Sequence, residues 1–391
     1  MKICGIIAEY NPFHNGHEYH IAKARELCDA DFVIVVMSGN FVQRGIPAIC
    51  DKFIRAEAAL RGGADLVLEL PTCYSTAAAD DFARAGIMLL DKLGVIDTVC
   101  FGSESGDIDL ITECAHNMQS LQKGPGSDLK DCLRRGLSYP AAMQVLGGIS
   151  LQSNDMLGAA YVSALTELES RIRPVAIKRI GSSYLDEGSD ADSATAIRRR
   201  LSEGLDCTEL VPEYAVNTIS GMNVFADDLS GLLYMKLLSE IKSAGLTCFA
   251  DVSKTIEGTI IKRFGEYTNI SQFVNLIASK NYTKGRIMRA LTHILLDITD
   301  EDIGLYKDNG MIGYARILGM RRSCAAMLTA VKGNSEIPII AKAADAGNML
   351  KAPFDRQFKC DVEASNLYDY VYSSKYHVER THEYAKSIKC I

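Results

Sequence analysis

Asn11-Pro12-Phe13-His14-Asn15-Gly16-His17 is the stretch on which the reading of this chain turns. It follows an apolar run, Ile3–Ala8, and opens a helical one, Gly16–Cys28, so it occupies a strand–turn–helix junction. There the backbone N–H groups and the positive end of the helix dipole face an anion. With 7 His and 31 Gly in 391 residues, a His-x-Gly-His is expected by chance about 0.01 times. Gly16 has no Cβ and lets a nucleotide approach the helix start, while His14 and His17 can each donate an N–H to phosphate oxygens. Donors placed there stabilise the charge that grows when an α-phosphate is attacked in line. Zinc is the competing use of His14, His17 and His20, but no Asp, Glu or Cys at ligand spacing completes a set, so no metal ligand is assigned.

Working outward, strands are expected at Ile3–Ala8, Phe32–Met37, 65–70, 95–101 and 174–179, with helical stretches between them such as 51–61, 77–93 and 155–169. This alternation implies right-handed crossovers and an α/β fold, a Rossmann-like doubly wound parallel sheet. Ligands of such sheets sit outside the carboxyl ends of the strands. The loops 10–17, 38–45 and 102–107 should therefore share one cleft. Lys123-Gly124-Pro125-Gly126-Ser127 reads as a surface loop, not a boundary, because strand-like sequence resumes at Pro174. From about residue 211 long amphipathic stretches dominate, such as 229–241 and 270–296. The expected division is thus a catalytic domain over 1–210 and a mostly helical C-terminal domain over 211–391. No internal repeat or low-complexity tract is visible.

Hydrophobic residues make up 48% and charged residues 23% of the chain, the usual mix for soluble globular proteins rather than disordered or membrane ones. An apolar run such as Val33–Met37 suits a buried strand and is far short of a membrane span. The start meets Glu9 and Asn11-Pro12 too early for a signal peptide. A cytoplasmic protein is expected, and its 12 scattered cysteines, without a Cys-x-x-Cys pair, read as reduced and mostly buried thiols. Charge is uneven. Residues 261–391 hold 19 Lys and Arg against 14 Asp and Glu, while residues 1–260 hold 23 against 35. An acidic front and a basic back suit a chain of which only the back approaches a polyanion.

Far downstream stands Ser193-Ala194-Thr195-Ala196-Ile197-Arg198, which by itself reads equally as an ordinary helix start with Ser193 as N-cap. Together with the His-x-Gly-His turn it resembles the paired signatures of the nucleotidylyltransferase superfamily, departing from the usual Ile-Ser-Ser-Thr at Asp192 and Ala194. More of the chain resembles one family in that group, the bacterial tRNA(Met) cytidine acetate ligases. The matching segments are 5–20, Ser38-Gly39-Asn40-Phe41-Val42-Gln43-Arg44-Gly45, 63–71, Phe101-Gly102-Ser103-Glu104, 138–140, Asn154-Asp155-Met156-Leu157-Gly158 and 193–198. The likeness thins to 282–286 and 314–319 in the back half.

The resemblance implies a two-step, ATP-dependent ligase. Acetate attacks the α-phosphate of ATP to give acetyl-adenylate and pyrophosphate, and N4 of the wobble cytidine of elongator tRNA(Met) then takes the acetyl group, releasing AMP. It implies His14, Gly16, His17, Ser193, Thr195 and Arg198 as catalytic residues. The ATP site it implies is Ile7, Ala8, Glu9, Tyr10, Asn11, Pro12, Phe13, His14, Asn15, Gly16, His17 and His20, with Gly102, Asn154, Arg179 and Ile180. Three of these have a plainer use: Gly102 as a turn glycine, Asn154 as an N-cap, Arg179 as a surface cation. Ser38, Gly39, Asn40 and Arg44 could border the acetate or the phosphates. Mg2+ is expected to accompany ATP.

For RNA, Lys280, Lys284, Arg286 and Arg289 place cations at near-helical spacing, and Arg316, Arg321 and Arg322 form a second group around a glycine turn. Tyr282 and Tyr314 could stack on an unpaired base or simply pack half-buried. The alternatives are a small-molecule nucleotidylyltransferase acting on a phosphate-bearing acceptor, and a non-catalytic tRNA-binding protein with a relict pocket. Some 180 residues beyond the first domain, net positive towards the end, favour a macromolecular acceptor.

Overall fold

The computed structural model describes residues 1–123, 132, 145, 152–179, 193–219 and 221–391. Five parallel strands build most of one sheet, out to one of its edges: β1 (Ile3–Ala8), β2 (Phe32–Ser38), β5 (Leu66–Leu70), β6 (Thr98–Ser103) and β7 (Arg173–Lys178). Between β2 and β5 a two-stranded hairpin, β3 (Phe41–Val42) and β4 (Ile46–Pro47), stands apart. The spatial order β5-β2-β1-β6-β7 places the topological switch between β1 and β6, where such sheets open a crevice.

The central strand shows why the sheet forms. Val33, Ile34, Val35, Val36 and Met37 are all fully buried, the two-sided burial that parallel strands require. Alternate residues feed two different cores. Ile34 and Val36 pack with Leu66, Leu68 and the helix Ala79–Lys92. Val33 and Val35 pack with Val67, with Ile21 and Ala24 of the helix Asn15–Leu27, and with Phe53, Ala56 and Leu60 of the helix Lys52–Arg61.

Beyond residue 210 the chain first builds the helices Ser230–Lys242, Lys254–Arg263, Ile270–Ile277 and Lys284–Leu295. It then returns to the sheet, which the sequence reading does not anticipate. β8 (Ala315–Met320) lies antiparallel to β5, and the short strands β9 (Ile339–Ile340) and β10 (Lys389–Cys390) pair parallel with its two ends. The change near residue 210 is thus one of helix content, while one sheet runs through both parts.

That return is held by buried charges. Lys52, fully buried, donates through Nζ to Glu69 Oε1 at 2.7 Å and to Ser365 Oγ at 2.8 Å, and lies 2.7 Å from Glu383 Oε1. Arg316 on β8 pairs with Glu69 Oε2 at 3.1 Å and Glu383 Oε1 at 2.6 Å. Two cations and two carboxylates neutralise one another, as buried charges must. Burial alone would raise the Glu383 carboxyl, but Lys52, Arg316 and Lys386 outweigh it and hold the group at about 2. Among the described residues no helix is long and apolar enough to cross a membrane.

Candidate active site

β1 ends at Ala8, and the chain turns through Tyr10, whose φ of 49° lies in the left-handed region, before the helix Asn15–Leu27 begins. Tyr10 and Phe13 are buried with ring centroids 5.0 Å apart, and His17 meets Tyr10 edge-on at 4.8 Å. Asn11, Pro12 and His14 are buried as well; Ile7, Ala8, Glu9, His17 and His20 are partly exposed, and Asn15 and Gly16 are exposed. The expected binding turn therefore offers side chains mainly through Glu9, Asn15 and the histidines, while Tyr10 and Phe13 form its floor.

His14 is the N-cap of this helix. Its Nδ1 accepts the Gly16 N–H at 3.1 Å, and His17 Nδ1 accepts the His14 N–H at 3.3 Å. This is a reciprocal capping box made of imidazoles instead of a hydroxyl and a carboxylate. An Nδ1 that accepts an amide proton carries none of its own, so each neutral ring keeps its proton on Nε2. The ring centroids lie 3.7 Å apart. Burial, reinforced by the charges of Arg179 and Arg198, pushes His14 down to about 4. Burial and then the neighbouring His14, His20 and Arg179 hold His17 well below the ordinary imidazole range. At neutral pH both are uncharged N–H donors. A Cβ on Gly16 would lie 2.9 Å from His14 Cε1, so the glycine makes room for the capping imidazole as well as for any ligand. His20 is also held near 4, chiefly by burial and then by Arg179, and its Nε2 is buried without a hydrogen-bond partner.

Three other loops converge here. After β2, Gln43 N donates to Glu9 Oε1 at 2.9 Å. Arg55, fully buried, donates through Nη1 to the carbonyls of Glu9 at 2.7 Å and Ser38 at 3.0 Å, and through Nη2 to that of Gly39. Arg55 thus ties the first loop to the second, a part that the sequence reading missed; a lone arginine among Phe53, Ala56, Ala59 and Leu60 was the available signal. After β6, Asp155 accepts from Ser103 Oγ and from the Glu104 and Ser105 N–H groups, while Glu104 takes the N–H groups of Asn154 and Asp155 and the Asn154 amide. Asn154 is not the N-cap of the helix Ser153–Glu167, a place Gln152 takes; it is the second residue of the helix and is bound to Glu104. Arg179 follows β7 and lays its aliphatic carbons beside Gly102, 3.5 Å from where a Cβ would stand. Ile180 lies outside the described residues.

The downstream motif comes to the same place. Ser193 caps the helix Ala194–Ser202. Arg198 Nη1 donates to the Asn11 carbonyl at 2.6 Å and Nη2 to Thr195 Oγ1 at 3.0 Å. Arg179 and Arg198 both act on His14, so two guanidinium groups and two imidazole donors share the crevice beyond β1 and β6. On the first and second loops, Ser38 Oγ, Asn11 Nδ2 and Asn40 Nδ2 are buried without a hydrogen-bond partner.

The cations expected to meet RNA divide. Lys280, Lys284 and Arg322 are exposed, and Arg286 is partly exposed, its guanidinium 5.3 Å from the Tyr282 ring. Arg316 and Tyr314 correct the reading. Arg316 is buried between Glu69 and Glu383, and Tyr314 is fully buried with its hydroxyl on Asp361, so neither can reach a ligand at the surface. Arg289 is largely covered and pairs with Asp251 at 3.0 Å, and Arg321 donates to the Leu60 carbonyl at 2.6 Å, so both are committed within the protein.

The fold and this crevice define the class: residues 1–383 match the family model described as HIGH Nucleotidyl Transferase. Within it, the chain belongs to the tRNA(Met) cytidine acetate ligase family. It is 36% identical to the tRNA(Met) cytidine acetate ligase of Clostridium perfringens (strain ATCC 13124) over 95% of this chain and 96% of that protein. Against the ligase of Acetivibrio thermocellus it is 33% identical, with 99% of both chains covered. The solved structure of Thermotoga maritima TmcAL bound with alpha-thio ATP superposes with a TM-score of 0.86 at 30% identity over 100% of both chains.

Proposed function

We propose that this protein is an ATP-dependent tRNA(Met) cytidine acetate ligase, which activates acetate as acetyl-adenylate and passes the acetyl group to N4 of the wobble cytidine of elongator tRNA(Met). The observation that carries the chemistry is the pair of capped, neutral imidazoles beside Arg179 and Arg198 at the crevice. The substrates rest on what the full-length relatives are named for.

In the first step an acetate oxygen attacks the α-phosphorus and the bond to the β-phosphate oxygen breaks, giving acetyl-adenylate and pyrophosphate. His14 and His17 donate Nε2–H to the phosphoryl oxygens where charge grows, and Arg198 and Arg179 neutralise the departing pyrophosphate. The unpaired Ser38 Oγ, Asn11 Nδ2 and Asn40 Nδ2 are donors that an anionic substrate would satisfy. Ser193 and Thr195 place Arg198 by starting its helix and holding its guanidinium. In the second step the cytidine N4 attacks the acetyl carbonyl, AMP leaves and the amine loses a proton.

Mg2+ enters this reading with the triphosphate and keeps most of its waters. The residues fit such an ion: Glu9 at the mouth of the crevice offers a carboxylate of which Oε1 already takes the Gln43 amide, suiting it to a metal-bound water.

For the acceptor, Lys280, Lys284 and Arg286 are the cations we assign to tRNA, with Tyr282 beside Arg286, and the segment 211–308 as the body that presents it; Arg322, exposed beyond the amino end of β5 and so on the side of the sheet away from the crevice, is left out of this group. Arg44 is exposed on the second loop, between Gln43, which bonds Glu9, and Gly45, which packs on Arg289 of this body. Relatives matched over nearly their whole length disfavour the small-molecule alternative, which has no use for these residues. The test is mass spectrometry of nucleosides from elongator tRNA(Met) after incubation with ATP and isotopically labelled acetate. Labelled N4-acetylcytidine is expected; adenylate formation with an unmodified tRNA would show the acceptor to be wrong.

A further inference from the structure

Three cysteines distant in sequence meet at the end of the sheet opposite the crevice. Cys4 on β1 and Cys100 on β6 belong to neighbouring parallel strands, with Cys4 opposite Thr98 and Ile6 opposite Cys100. Both side chains therefore leave the same face of the sheet, two positions apart. The helix Asn15–Leu27 crosses that face and ends with Cys28 as its C-cap. The three Sγ atoms lie within 4.8 Å of one another, and all three thiols are free. Cys4 and Cys100 are fully buried, and Cys28 is partly exposed. Among the described residues this is the one cluster of His, Cys, Asp or Glu side chains with ligand spacing.

We propose that Cys4, Cys28 and Cys100 bind one thiophilic d10 cation, Zn2+ or Cu+, which fastens the far end of the helix whose head carries His14 and His17. A buried cysteine alone is a small hydrophobe; three that converge from two strands and a helix end offer a soft donor set. Sulfurs bound at about 2.3 Å to a common ion stand about 4 Å apart, so side-chain rotation of less than about 1 Å per sulfur pair closes this trio. Soft thiolates select Zn2+ and Cu+ over the hard cations that accompany ATP. The carbonyl end of the helix at Cys28 carries partial negative charge and favours a cation. The exposed Cys28 side gives the ion a path in and, for Zn2+, a place for a fourth, water ligand. Binding breaks three S–H bonds, forms three metal–sulfur bonds and releases three protons, with no change of oxidation state. The nearby Arg173 charge acts on Cys28 and offsets the excess of thiolates.

The test uses the full-length protein, reduced and stripped with a chelator, titrated with Co2+ as the spectroscopic probe. One ion per chain with a thiolate-to-cobalt charge-transfer band is expected, displaced by Zn2+, with the thermal midpoint raised by Zn2+. Competition against a Cu+-specific chelator, run alongside, tells which of the two ions is held more tightly. Cys28→Ser should lose the band and the thermal shift, and Cys248→Ser, at an exposed thiol outside the cluster, should keep both. Should Cys28→Ser fail to fold, alkylation of the wild-type chain replaces it: Zn2+ should protect Cys28 and leave Cys248 reactive. No charge-transfer band, an unchanged band in Cys28→Ser, equal alkylation of Cys28 with and without Zn2+, or an oxidative disulfide within the trio with no metal uptake would each overturn the proposal.

Discussion

A histidine that caps its own helix is held in one tautomer, and that constraint sets what His14 and His17 can do. They cannot accept a proton at Nδ1 without breaking the caps, and burial resists their charging. This makes them fixed dipolar donors rather than acid–base groups. The pH dependence has a definite sign. His14 titrates near 4 in the folded chain against an ordinary 6.5, so the unfolded chain binds more protons between those values. Its contribution to stability is then unchanged above about 6.5 and falls as pH drops towards 4. Denaturation midpoints measured across that window should decline towards acid, while kcat/KM for ATP should show no limb near 6.5. A His14→Ala variant should flatten its share of the stability decline.

At the scale of elements, the strands of the first half were legible because each is an apolar run between turns: Ile3–Ala8 is recovered residue for residue and the others shift by up to three positions. The missed elements fail for physical reasons. β8 carries Arg316 at its second position, and β9 and β10 are two residues each, too short for any periodicity. The joint between halves was equally hidden. Gly45, at φ 71°, closes the second loop against the helix Lys284–Leu295, where a Cβ would stand 2.7 Å from Arg289 Cα, and its carbonyl accepts from Thr292 Oγ1. Nothing local in the sequence shows a contact over 247 residues. Gly45→Ala should cost at least about 1 kcal/mol through backbone strain alone, read by chemical denaturation. It should also lower acetyl transfer to tRNA more than adenylate formation, because the loop joins the crevice to the helical body.

For the whole molecule, the buried set of Lys52, Glu69, Arg316 and Glu383 makes the last strands part of the catalytic sheet. Gly39 of the second loop lies directly against the Glu69 carboxylate, so the network also supports the crevice. A lone arginine in a sequence cannot announce partners 247 residues before and 67 after it, which is why Arg316 read as a surface cation. The two kinds of arginine should separate by experiment. Arg316→Ala leaves Glu69 and Glu383 with too little positive charge and should destabilise by about 3–5 kcal/mol. Lys284→Ala should leave stability unchanged, weaken tRNA binding and reduce the salt dependence of that binding by about one unit of slope. Titration of tRNA(Met) at several salt concentrations checks the second, and equilibrium unfolding the first.

The neutral imidazole pair is best tested by acetate-dependent exchange of labelled pyrophosphate into ATP, which reports the first step without tRNA. The wild-type chain should exchange only when acetate is present, and His17→Ala should lower the rate by about 10²–10³-fold, the loss typical of one such donor, with the fold intact by circular dichroism. Exchange that persists undiminished in a folded His17→Ala variant, or that proceeds equally without acetate, would contradict the account.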